Sequence, residues 1–173
     1  MKLNISYHAH HSLYLKAFST ALTISFLVLG DNSFAQQICA RVKISDGDTL
    51  TCDGEKIRLC GIDAPERSQP LGEEAKQYLA KLLTGKTVTL TPVGTDRYGR
   101  TVAEVKTNGS DQTVNATMAR AGMAYHYAQF SRLCPHRSQI IESERKAQID
   151  KIGVWSGNFE KPWDYRKRNR SND

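Results

Sequence analysis

The chain of 173 residues has no apolar run long enough to span a bilayer unbroken, no internal repeat and no closely paired cysteines. Its longest apolar stretch, Ala17 to Gly30, covers 14 positions and includes several Ser and Thr, whereas a spanning helix needs about 20 apolar residues. Cysteine separations of 13, 8 and 74 residues do not offer the short paired spacings of a zinc knuckle. Histidines are few, and three of the five (His8, His10, His11) crowd the first eleven residues. His126 and His136 then stand alone, without a third nitrogen or thiolate at metal-ligand spacing. No motif for reading base edges is evident. The remaining composition, 39% hydrophobic and 24% charged, is that of one folded domain.

What is present begins with an export signal. Lys2 and Lys16 flank a polar start, the apolar stretch follows, and Ser33 to Ala35 supplies small residues where an export peptidase reads. Residues 1–35 are therefore expected to be a secretory signal peptide, with a single membrane anchor as the competing reading. The chain would act in the periplasm or outside the cell, with no membrane attachment after cleavage. Four cysteines in an oxidising compartment favour disulfides over free buried thiols. Four cysteines allow three pairings; if Val42, Ile44 and Leu50 belong to a hairpin turning at Asp46-Gly47, Cys39 lies close to Cys52 across its open end and Cys60 with Cys134 follows by elimination. A net charge of +6 favours anionic partners.

Alternation predicts strands over Arg41 to Ser45, Thr49 to Cys52 and Lys56 to Ile62, joined by turns at Asp46-Gly47 and Asp53-Gly54. Ala75, Tyr78, Leu79 and Leu82 mark one face of a helix. Val88 and Leu90 belong to a fourth strand, Pro92 to Gly99 to a loop, and Thr101 to Lys106 to a fifth strand. Val114 to Ala121 and Ser138 to Lys151 are further helices, and Met123 to Ala128 reads equally as extended chain or loop. The fold class is α+β dominated by β: a five-stranded OB-type Greek-key barrel with about three helices. Residues 36–163 form the domain, and 164–173 read as a basic, mobile tail.

A meander places the start of its second strand beside the end of its third, so Asp48 and Asp63 can meet. Converging carboxylates repel, and oxygen ligands draw a hard cation such as Ca²⁺. Glu66 follows a stiffening proline, where a base acting on water would stand. Arg58 offers a planar fork for phosphate oxygens. Taken singly, Asp46-Gly47 is an ordinary turn and Asp63 to Glu66 an acidic helix entry; together, three acids and an arginine make a phosphodiester-cleaving arrangement. In Thr95 to Arg100, Arg100 is available to phosphate and Tyr98 to a base or ribose, against the plainer reading of a polar turn with an Asp96-Arg97 surface pair. Tyr125 and Tyr127 are candidates for base stacking, with core or rim packing the alternative. Trp155 and Trp163 read as packing residues.

Asp46-Gly47-Asp48-Thr49, then Arg58 to Glu66, then Asp96-Arg97-Tyr98-Gly99-Arg100 resembles the staphylococcal nuclease (thermonuclease) family in order and spacing, over about Ile38 to Ser156. The resemblance implies Ca²⁺-dependent hydrolysis of DNA and RNA that leaves 3′-phosphates. It implies calcium ligation by Asp48, Asp63 and the Ala64 carbonyl, water activation by Glu66, and a grip on the scissile phosphate by Arg58 and Arg100. Ala64 departs from the Thr of the best-known member, which removes a hydroxyl but leaves a carbonyl. A monomer is expected. The rival reading is a barrel that binds single-stranded nucleic acid without cutting it, and a ring of carboxylates facing a polyanion argues against that.

Overall fold

A computed structural model of the chain describes residues 35–171. The signal-peptide reading and the His8, His10, His11 cluster lie outside the described residues. Among those described, no helix is long and apolar enough to cross a membrane.

The first hairpin forms where alternation predicts it. Strands β2 (Val42–Asp46) and β3 (Thr49–Cys52) pair antiparallel about Gly47, and β4 (Glu55–Leu59) continues the meander with Thr49 opposite Arg58. Strand β4 then pairs in parallel with β7 (Thr101–Thr107), which lies antiparallel to β6 (Val88–Thr95). A strand not foreseen, β1 (Gln37–Cys39), adds to the β6 edge. The sheet order is β1-β6-β7-β4-β3-β2, and β5 (Ile62–Asp63) and β8 (Tyr125–His126) form a separate two-stranded pair. The OB-type architecture thus has six strands in its main sheet rather than five.

Two differences have simple causes. The expected third strand is divided at Cys60-Gly61, where Gly61 adopts φ +72° and lies against the Cys134 side chain and Ser131; only glycine enters that conformation freely. The expected loop from Pro92 is instead strand as far as Thr95, with an irregularity between Pro92 and Gly94. β1 pairs only as far as Leu90, so Pro92 sits where β6 needs no outward donor.

Helix α1 (Gly72–Leu83) buries Ala75, Leu79 and Leu83 and half-buries Tyr78 and Leu82 against the sheet. Thr113 caps α2 (Val114–Arg120) by accepting the Ala116 N–H at 3.1 Å, the role its short hydroxyl suits. α3 (Arg137–Ile149) packs on α2. These cover a core that includes Leu50, Ile57, Leu59, Val88, Leu90 and Val105, each such side chain contributing about 1.5–3 kcal/mol by leaving water. Buried Asn115 ties layers together, donating to the Cys60 carbonyl at 2.8 Å and accepting from Val105 N–H at 2.9 Å. Disulfides Cys39–Cys52 and Cys60–Cys134 span Cα separations of 5.5 and 5.9 Å, in the pairing expected.

The largest correction concerns the C-terminus. Of the segment 164–173 read as a mobile basic tail, residues 164–170 belong to helix α4 (Pro162–Arg170), opened by a buried proline at its first turn, where a missing N–H is harmless. Trp163 docks it by stacking on Tyr127 at 5.1 Å with an 8° interplanar angle.

Candidate active site

The meander register brings the first motif together. Leu59 N–H donates to the Asp48 carbonyl at 2.8 Å, so the turn after β2 and the end of β4 share one end of the sheet. Arg58 reaches from there to both aspartates, with Nη1 3.0 Å from Asp48 Oδ2 and Nη2 2.8 Å from Asp63 Oδ1. Asp48 also accepts from the Thr49 hydroxyl at 3.0 Å and from Ala64 N–H at 2.7 Å. Asp63 is wholly buried. Burial pushes its carboxyl up, against the hydrogen bond from Arg166, and neighbouring Asp48 adds to the rise. A buried carboxylate of this kind requires paired counter-charge, and two guanidiniums supply it.

Glu66 stands on the loop into α1. Its backbone N–H donates to Gln69 Oε1 at 2.9 Å, and its carbonyl accepts from Gln69 N–H at 2.8 Å. Gly72 packs so closely beneath that a Cβ there would collide with the Glu66 carbonyl. The Glu66 carboxylate accepts from Arg166 Nη1 at 2.6 Å, while Nη2 of the same guanidinium donates to Asp63 Oδ2 at 2.8 Å. Arg166 is a site residue that sequence reasoning left in the basic tail, as a source of nonspecific phosphate affinity or a solvated terminus. Its only signal was the Pro162-Trp163 start of a helix, in a segment without apolar periodicity.

Arg100 opens β7 from the opposite wall. Asp96 holds it through Nε at 2.7 Å and through its backbone N–H at 3.0 Å. Arg100 Nη1 donates to Thr49 Oγ1 at 3.4 Å, which joins it to Asp48. Asp96 therefore pairs with Arg100 rather than with Arg97, correcting the surface-pair alternative. Burial raises the Asp96 carboxyl, but hydrogen bonds from Arg100 and Tyr98 outweigh that and hold it below the usual range.

These groups line one cleft of about 790 Å³ with Tyr98, Tyr127 and Arg170 at its edges. Tyr98 is 66% exposed, with Arg97 and Arg100 over its ring, and remains open to a ligand. Tyr127 borders the cleft, with one face taken by Trp163. Tyr125 does not reach the cleft: it is 2% exposed, its ring packs edge-on to Trp155 and Trp163, and its hydroxyl donates to the Val154 carbonyl at 3.4 Å. The stacking expectation for Tyr125 is therefore corrected to packing, because Trp155, Trp163 and the Val154 carbonyl close around its ring and hydroxyl.

The oxygen donors available to a metal are the carboxylates of Asp46, Asp48 and Asp63 and the backbone at Ala64. Burial and then repulsion by Asp48 push Asp46 up to about 6. Asp48, Asp63 and Glu66 are paired with the guanidiniums of Arg58 and Arg166, so a hard dication that suits these oxygen donors would take the place of those partners.

Comparison with known proteins agrees with this geometry. The family described as staphylococcal nuclease homologue matches residues 56–157. An uncharacterized endonuclease of Haemophilus influenzae is 39% identical over 163 residues, covering 91% of this chain and 88% of its own. A micrococcal nuclease of Shigella flexneri is 35% identical over 142 residues, covering 75% and 80%. The staphylococcal-like nuclease CAN1 of Arabidopsis thaliana is 38% identical over 116 residues, 66% of this chain but 34% of that longer protein. The chain belongs to the staphylococcal nuclease homologue family. It is a nuclease, a phosphodiester hydrolase with nucleic acid as substrate.

Proposed function

We propose that the protein is an exported, calcium-dependent nuclease that cleaves DNA and RNA with little sequence preference and leaves 3′-phosphate ends. The observation that carries this reading is Arg58 bridging Asp48 and Asp63 while Glu66 stands one guanidinium away. Asp48, Asp63 and the Ala64 carbonyl would hold the ion, which when bound supplies positive charge beside the phosphate. Glu66 takes a proton from water; the water oxygen adds to phosphorus, the bond to the 5′ oxygen breaks with its electron pair staying on that oxygen, and the 5′ oxygen takes up a proton from solvent to leave as a hydroxyl. Arg58 and Arg100 exchange carboxylate partners for phosphate oxygens and stabilise the charge that grows there. Low sequence preference follows from a cleft dominated by charged groups, with Tyr98 and Phe130 as its exposed aromatics, since phosphate contacts carry no sequence information. Export is supported by the N-terminal pattern and by two disulfides. The protein acts as a monomer, free of the membrane after signal cleavage.

The test is cleavage of linear DNA, circular single-stranded DNA and RNA by the purified chain, with Ca²⁺ and with a chelator. Calcium-dependent cutting of all three, the circle included, is expected. Binding without cutting would replace this reading with a nucleic-acid-binding barrel.

A further inference from the structure

Helix α4 lies beyond residue 157, where the family match ends, yet it delivers a side chain to the centre of the cleft. Arg166 Nη1 donates to Glu66 Oε1 at 2.6 Å and to Asp63 Oδ1 at 3.1 Å, and Nη2 donates to Asp63 Oδ2 at 2.8 Å. Asp63 is wholly buried and also held by Arg58, so it is a fixed point. Glu66, by contrast, is about a third exposed on a loop, where a carboxylate otherwise samples several rotamers. One planar guanidinium references the mobile group to the fixed one.

The helix that carries Arg166 is itself tethered to the same loop. Tyr165 OH and Ser68 Oγ lie 2.7 Å apart, and Gln69 Nε2 donates to the Glu160 carbonyl at 2.9 Å. Gln69 also accepts the Glu66 backbone N–H. Trp163 stacks on Tyr127, whose own N–H donates to the Gly61 carbonyl at 2.8 Å. The side chain of Glu66 is thus located by a contact from α4, and its backbone by Gln69, which is tied to Glu160 just ahead of that helix.

We infer that Arg166 is a positioning residue for Glu66: α4 completes the site by holding that carboxylate in place through the Arg166 fork shared with Asp63. The inference rests on the nuclease reading. Arg166 acts through Glu66 and not as a third grip on phosphate, so its removal lowers turnover more than it weakens substrate binding. A lysine in its place offers a point charge that cannot span two carboxylates.

The experiment is steady-state cleavage by the full chain, wild type beside Arg166→Met, Arg166→Lys, Glu66→Gln and the double variant Arg166→Met/Glu66→Gln. Thermal melting of each accompanies the kinetics. Arg166→Met is expected to lower kcat at least tenfold with KM within twofold, and Arg166→Lys to recover only part of the loss. In the Glu66→Gln background, Arg166→Met is expected to change kcat less than twofold, since the group it serves is already disabled. Should Arg166→Met fail to fold, Arg166→Lys and its double variant with Glu66→Gln decide the matter. A raised KM at unchanged kcat, additive losses in the double variant, or a rise in kcat would each overturn the inference; the last would mark Arg166 as an occupant that substrate displaces. Wild-type cutting with an unaffected Arg166→Met sinks the inference alone, whereas a wild type that cuts no substrate sinks the nuclease reading and the inference with it.

Discussion

Asp48 Oδ2 accepts the backbone N–H of Ala64 at 2.7 Å, across sixteen residues of chain. The loop that carries Asp63 and Glu66 is therefore latched to the β2–β3 turn through main chain. The latch is indifferent to the side chain at 64, so an alanine where the best-known relative has threonine leaves it intact. Asp48→Ala removes latch and candidate ligand together. Loss of calorimetrically measured Ca²⁺ binding and of cleavage is the expected outcome. Undiminished Ca²⁺ binding would remove Asp48 from the ligand set.

Glu66→Gln keeps the shape of the side chain and its contact with Arg166 while removing its capacity as a base. Turnover is expected to fall by about 10²–10⁴-fold, the range for a positioned general base, with the melting temperature unchanged. Arg100→Ala is expected to lose most turnover as well, and to leave Asp96 only its backbone N–H donors at positions 98 and 100. Wild-type rates in either folded variant would sink the assigned role.

The two disulfides close loops of different length, 13 and 74 residues of separation. On chain entropy, the shorter contributes about 3 kcal/mol and the longer about 4 kcal/mol. Replacing Cys60 and Cys134 by serine is accordingly expected to lower unfolding free energy in urea more than replacing Cys39 and Cys52. The reverse order would show that strain or residual unfolded structure outweighs loop length.

His126 is lowered from its ordinary value of 6.5 by burial, with the nearby charge of Arg137 adding to the effect. The unfolded chain then takes up a proton at higher pH than the folded chain. Stability from this residue is fully present above 6.5 and drains as pH falls through the depressed folded value. Between pH 7.5 and 5.5 the wild-type melting temperature should drop further than that of His126→Gln, whose amide can keep the contact with Ser131 Oγ that His126 Nε2 makes at 2.8 Å. Equal drops would place the acid sensitivity elsewhere.

Local chemistry made much of the fold readable. Alternation located β2, β3, β4 and β7; the spacing of Ala75 and Leu79 located α1; Asp46-Gly47 located the hairpin that brings Asp48 toward Asp63. These are contacts between residues near in sequence, and period and turn chemistry encode them directly. The short ordered motifs also carried the family and its chemistry, because Asp48, Arg58, Asp63, Glu66 and Arg100 all sit in or beside turns.

Pairings without a local signature were decided by tertiary structure. β1 is three residues at an edge, and β6 runs through a proline that alternation alone cannot admit. Asn115 looks like any polar helix residue until the Cys60 carbonyl and the Val105 N–H close around it. Tyr125 and Tyr127 are two apart in sequence, yet one is sealed among tryptophans and the other borders the cleft. Arg166 is one of several basic residues in a segment with no apolar stripe; only the docking of Trp163 and Tyr165 turns it toward Glu66. Sequence encodes what a few neighbouring residues do together, whereas burial and charge pairing over a hundred positions arise only when the chain has folded.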